Sequence, residues 1–256
     1  MKKLSLVMVL AILSTSFATV GHFEGFEDPA WAADTDAGNW QNYGGTIVRV
    51  DSGTNGITSS SGNAHAVMNG AAYTRFGGYS SDFGGGFTAS MDVYLDPTWA
   101  SGTGFDWTVA ASRQTGDHLR DFIFHVGVVN GNLLVNASNN SDWQFNSSKL
   151  LNNNNGNYYT VNTAGWYTLE HVFRDENGSL AVDLNLLNAA GDLLYSVTRS
   201  NAADLIDTVV GGNRYGWAAY NNVPNLALDN VTLVPEPATM VLLGLGGLLC
   251  RRFKRA

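Results

Sequence analysis

From residue 87 to residue 95 every second side chain is apolar. Phe87, Ala89, Met91, Val93 and Leu95 alternate with Thr88, Ser90, Asp92 and Tyr94. A period of two puts all the apolar groups on one face of an extended strand, which then has to be covered by another layer. Leu180, Val182, Leu184 and Leu186 repeat the pattern, and 121–129 (DFIFHVGVV) is apolar on both faces, as a central strand would be. The breaks between runs carry turn chemistry. Asn130-Gly131 and Asn177-Gly178 each separate two strand-like runs, and Asn-Gly suits a two-residue hairpin because both positions accept a positive φ. Gly191-Asp192 turns into 193–198, and only 201–209 reads as able to hold a short helical turn. Many short strands at this spacing predict an all-β fold, a two-sheet antiparallel β-sandwich.

Such a sandwich has to hold without covalent help. The only cysteine, Cys250, lies in the C-terminal apolar run, so an exported domain would have neither disulfide nor thiol chemistry. The charge distribution narrows the partners. Six of the 14 Lys and Arg residues lie at the two ends, leaving eight basic residues in the middle against 22 acidic ones, Glu236 included, for a net charge of −14. A surface of that sign repels phosphate backbones, so no nucleic-acid partner is expected.

The two ends read as addresses. Met1-Lys2-Lys3, an apolar stretch over 4–13 and a small-residue end with Ser16 and Ala18 form a signal peptide, 1–18, too short to span a bilayer that needs about 20 residues. At the other end Pro235-Glu236-Pro237 precedes thirteen uncharged residues, 238–250, and the basic end Arg251-Arg252-Phe253-Lys254-Arg255. This order resembles the PEP-CTERM sorting tail of exported bacterial proteins. The resemblance implies a transient partner, an exosortase-type membrane protease, with Pro235, Glu236 and Pro237 as the sorting motif. The two prolines fix φ and lack N–H donors, so the chain leaves the last strand extended and Glu236 accessible. The apolar run would be about 20 Å long as a helix at ~1.5 Å per residue, a short transmembrane segment at the inner membrane, with the basic end on the cytoplasmic side. The expected organisation is therefore a β-sandwich domain over 19–234 between a signal peptide and a 235–256 tail, destined for the surface or extracellular matrix.

Within the domain, 165–173 (GWYTLEHVF), the Asn177-Gly178 turn and the run to Leu187, together with 23–28 (FEGFED) and 228–233 (LDNVTL), resemble the concanavalin A-like, laminin-G-like jelly roll. That resemblance implies pairing of the first and last strands and a structural Ca2+ shared between them. Glu24, Glu27, Asp28 and Asp229 are the matching carboxylates, with Glu27 and Asp229 foremost, since calcium takes six to eight oxygen ligands.

Catalytic signatures are sparse. A glycosidase needs two carboxylates at a set separation, and the nearest strand pair, Asp92 and Asp96, lacks an accompanying Glu. The histidines show no zinc spacing, and His125 and His171 lie inside strand patterns, where they read as satisfied sheet residues. No catalytic residue is assigned. Sugar binding needs exposed rings beside polar groups. Trp143, in the polar stretch 139–146, is the foremost candidate, followed by Trp99, Trp217 and Tyr220. The expected function is a non-enzymatic polysaccharide-binding or structural module, with a polysaccharide-active hydrolase or lyase as the alternative.

Overall fold

The computed structural model describes residues 21–35, 39–81, 83, 86–139, 157–206 and 209–235. Its strands are β1 (His22–Glu24), β2 (Trp40–Asn42), β3 (Thr46–Asp51), β4 (Ala64–Asn69), β5 (Ala72–Thr74), β6 (Gly86–Leu95), β7 (Gly104–Arg113) and β8 (His118–Val129). They continue with β9 (Asn132–Asn139), β10 (Tyr159–Val161), β11 (Gly165–Glu176), β12 (Ser179–Asn188), β13 (Leu193–Leu205), β14 (Val210–Ala219) and β15 (Leu226–Pro235). One 3-10 turn, Thr54–Gly56, is the only helical element among the described residues.

Two antiparallel sheets result. One runs β13-β12-β11-β6-β15-β4-β3, with β1 also on β15; the other runs β10-β9-β8-β7-β14-β5-β2. The fold is the expected sandwich, and both Asn-Gly hairpins form with positive φ at Asn130, Gly131, Asn177 and Gly178. The first and last strands pair, His22 opposite Leu233 and Glu24 opposite Val231. β15 hydrogen-bonds β4 with its first half and β1 with its second, on the side away from β6.

The helical turn expected at 201–209 is absent from the described part of that segment. β13 continues through it instead, bulging so that Ala181 faces Ser200 and Ser179 faces Leu205. Asp204 fixes the bulge by a paired contact with Arg120 of the other sheet, 2.7 and 3.1 Å. A buried ion pair of this kind outweighs the few tenths of a kcal/mol by which local propensity favours a helix.

The alternation predicted for β6 and β12 sets the core. Phe87 stacks on its cross-strand neighbour Phe173 at 4.2 Å, and Phe122 of the opposite sheet meets Phe173 edge-on at 5.4 Å. His171, fully buried, donates Nε2–H to the Phe122 carbonyl at 3.1 Å, a hydrogen bond between the two sheets. Trp107 and Trp40, both fully buried, lie nearly parallel at 6.3 Å. Burying rings of this size contributes several kcal/mol each, and the fold has no disulfide to share the task.

Candidate functional site

The outer face of the seven-stranded sheet carries one group of aromatic residues that the core does not use; Tyr94 and Trp166 pair separately on the eight-stranded sheet. In β14, Gly216 and Ala218 point inward, so Tyr215 and Trp217 point outward. In β5, Ala72 and Thr74 are fully buried and Tyr73 is turned out opposite Trp217. The small inward residues are dictated by their neighbours. A Cβ on Gly216 would stand 2.6 Å from the Trp107 ring and 2.7 Å from Phe76.

Tyr43, just after β2, closes the group. Its ring is 60% exposed yet stands edge-on at 6.0 Å to both Tyr73 and Trp217. Tyr220 lies 6.3 Å from Trp217 on the other side and is held at φ 50°, a conformation that costs a bulky residue on the order of 1 kcal/mol or more. The Arg75 guanidinium sits 5.7 Å from the Tyr73 ring centre and 5.9 Å from that of Tyr79. Tyr43, Tyr73, Arg75, Tyr215 and Trp217 line a cleft of about 270 Å³. The Tyr73 hydroxyl donates to Gln41, and the Tyr215 hydroxyl donates to Asp121 Oδ1 at 3.1 Å. His118 stacks on Tyr215 and contacts the same carboxylate at 3.0 Å. Burial, and then the nearby Asp121 charge, push the Tyr215 hydroxyl well above the usual phenol range, so it remains a donor at any physiological pH. Trp217 Nε1 is shielded from water and has no acceptor among the described residues.

The sequence candidates divide accordingly. Trp217 lines this cleft, and Tyr220 stands against its ring at 6.3 Å. Trp99 does not join them: half-buried, it meets Phe105 edge-on at 6.5 Å and lines a separate cleft of about 480 Å³ with Tyr94, Asp96, Asn55 and Asn225. Trp143 lies outside the described residues. Tyr43, Tyr73, Arg75 and Tyr215 were missed. Their signal was the alternation of aromatic with Gly, Ala or Thr in 72–74 (AYT) and 215–218 (YGWA), where the small partners are the inward ones.

The four carboxylates named for calcium each accept hydrogen bonds from nearby groups of the chain. Glu24 accepts from Phe26 N and Trp31 Nε1, and Asp28 from Ala30 N. Glu27 accepts from the amides of Asn63 and Ala64, and Asp229 from those of Ser61 and Asn230. Glu27 and Asp229 thus clasp the same 61–64 turn from two sides, and a Cβ at Gly62 would overlap the Glu27 carboxylate. Among the described residues no group of three or more His, Cys, Asp or Glu side chains gathers at metal-binding spacing. Asp229 faces Asp92 across the β6–β15 ladder, and burial, with the Asp92 charge adding to it, pushes its carboxyl up to about 6. Asp92 itself accepts from Ser60, Thr168 and Asn230, while Asp96 accepts from Thr98.

A second polar group lies on the same outer face and was also missed. Asp106 of β7, His125 of β8 and Ser138 of β9 are hydrogen-bonded in series, Asp106 Oδ1 to His125 Nδ1 at 2.9 Å and His125 Nε2 to Ser138 Oγ at 2.7 Å. His125 and Ser138 are fully buried and Asp106 nearly so. Cross-strand register aligns the two features: Trp217 faces Thr108, Thr108 faces Ile123, and Ile123 faces Ser138. No period-two pattern could have found the series, since it depends on which strands are neighbours.

Residues 233–255 match the PEP-CTERM protein-sorting motif. The chain carries that motif, which marks a secreted protein sorted through the membrane to the cell surface or beyond. Its first three residues are also the last three of β15, so domain and motif overlap. No curated protein sequence matches the chain. Among solved structures, the exoplasmic/lumenal domain of VIP36 in a Ca2+- and Man2-bound form has 12% identity and a TM-score of 0.45, over 78% of this chain and 82% of that one. A carbohydrate esterase from the Shiga toxin-encoding bacteriophage phi24B has 10% identity and a TM-score of 0.45, over 85% and 98%. The CBM2 module of the evolved Dit of Lactobacillus casei BL23 phage J-1 has 8% identity and a TM-score of 0.43, over 84% and 97%. None of these likenesses identifies a ligand for this chain.

Proposed function

We propose that this protein is a surface or extracellular-matrix module, cut from the inner membrane at its C-terminal motif by an exosortase-type protease, that binds polysaccharide in the Tyr43–Tyr73–Trp217 cleft, with Tyr220 beside it. One observation carries the reading. Tyr43 is mostly exposed, yet two other rings stand edge-on against it, forming an open aromatic corner on the outer face of the sheet. Sugar rings present apolar C–H faces with hydroxyls at the edge. Such a corner covers the faces while Gln41, Tyr215 and Arg75 supply polar groups beside it. At ~25 cal/mol per Å², covering ~50 Å² of each ring gains about 1 kcal/mol per ring, so three or four rings support binding without catalysis.

The reading is tested with the purified full chain in detergent on a polysaccharide array. Trp217→Ala and Tyr43→Ala are expected to weaken binding at least tenfold while the melting temperature of the exposed Tyr43→Ala variant stays within a few degrees of wild type. Binding to no polysaccharide at all would remove the proposal.

The Asp106–His125–Ser138 series favours a second reading, an ester hydrolase. Ser138 Oγ would attack the ester carbonyl carbon while His125 Nε2 takes its proton and Asp106 holds the imidazole. The proton then passes to the departing alkoxide as its C–O bond breaks, and water, giving its proton to His125, releases the acyl group from Ser138. All three groups are closed to solvent, which makes the series equally suited to bracing the sheet and leaves the binding module better supported. A fluorophosphonate that labels the wild type and not Ser138→Ala would establish the hydrolase. A folded protein that resists labelling would dispose of it.

A further inference from the structure

The cleft contains a cation on a strongly acidic molecule. Seven of the eight basic residues between the two ends are arginines. Arg49, Arg120 and Arg174 are each ion-paired to a carboxylate, at 2.9, 2.7 and 2.7 Å. Arg75 makes no such pair with any described residue. Its guanidinium lies against Tyr73 and Tyr79 and spends one donor, Nη1, on the Arg214 carbonyl at 3.2 Å. Asp121, the carboxylate that accepts from the hydroxyl of Tyr215 in the cleft wall, is also in contact with His118.

A guanidinium flanked by rings offers a planar donor fork that fits a carboxylate. A domain carrying −13, with 21 acidic against eight basic residues in 19–234, repels polyanions in general, so a local unpaired arginine acts as a filter. It rewards an anionic group delivered at the right place, and the rest of the surface rejects loose electrostatic adhesion. Resting on the polysaccharide reading above, we infer that the cleft selects acidic polysaccharide: an uronate ring lies on Tyr43, Tyr73 and Trp217 and its carboxylate takes the free edge of Arg75.

The probe pair is polygalacturonate and the same polymer with its carboxyls methyl-esterified, which differ in charge and not in ring shape. The full chain is expected to bind the acid at least tenfold more tightly than the ester, and raising salt from 0.05 to 0.5 M should erode most of that ratio. Arg75→Gln should abolish the ratio, the acid losing at least tenfold more affinity than the ester, and Arg75→Lys should keep part of it. Arg113→Gln, an equal charge change at the exposed end of β7, serves as the control and should leave the ratio intact. A sulfated neutral-sugar polymer bound as tightly as polygalacturonate would replace carboxylate recognition by anion recognition and so overturn the uronate assignment. Equal binding of acid and ester, a ratio that survives Arg75→Gln, or equal loss in the Arg113→Gln control would each overturn the inference outright. If the ester and other neutral polymers bind through Trp217 while the ratio is absent, only this inference fails. If nothing binds, the polysaccharide reading itself fails.

Discussion

His171 is the side chain on which acid should act first. It is sealed between the sheets, its Nε2–H is committed to the Phe122 carbonyl, and its Nδ1 has no partner among the described residues. Burial pushes the imidazole down to about 3, against an ordinary 6.5. Below pH 6.5 the unfolded chain therefore takes up a proton that the folded one refuses, so stability falls as the pH drops from about 6.5 toward 3. Asp229 works in the opposite sense. Its carboxyl is raised to about 6 from an ordinary 3.8, so the folded form binds the proton first, and this group adds stability as the pH falls from about 6 to 4. Urea unfolding at pH 7 and pH 5 should accordingly show His171→Leu losing much less stability on acidification than wild type, by on the order of 2 kcal/mol, and Asp229→Asn losing more. Equal acid sensitivity in all three proteins would contradict both assignments. At this scale the sequence is half-legible: alternation places His171 and His125 inside strands, but no pattern along one strand names the Phe122 carbonyl or the Asp106 and Ser138 partners that decide what those histidines do.

At the scale of the element, legibility follows regularity. β6 and β12 and the two Asn-Gly hairpins were readable because period and turn chemistry agree within a dozen residues. The far half of β13 was not, because its bulge breaks the period and Asp204 is held there by Arg120 from the other sheet. β14 contains the element-level prediction. It presents Tyr215 and Trp217 outward only because Gly216 leaves room for Trp107 and Phe76 beneath it. Gly216→Ala should therefore destabilise by about 1–3 kcal/mol through overpacking, a fall of roughly 3–10 °C in melting temperature for a domain of this size, and should also weaken polysaccharide binding by tilting the two outward rings. Calorimetry and the array read the two effects separately. An unchanged melting point would mean that Trp107 has freedom the packing does not suggest.

For the whole molecule, the two-layer architecture and the acidic surface were legible, and the strand order was not. Pairings such as His22 with Leu233 join residues about 210 positions apart, and nothing local announces them. That order has a consequence in time. β15 lies between β6 and β4 and also holds β1, so the eight-stranded sheet consists of separate pieces until residues 226–235 arrive. A chain ended after Asn225 should remain protease-sensitive throughout, whereas one extended to Pro235 should resist; early resistance in the shorter chain would refute the point. Contacts of such long range are slow to form. Since the sorting motif begins within the same strand, the domain can become rigid only once the first residues of that motif have emerged, and the closing of the sheet then reports that the motif has been reached.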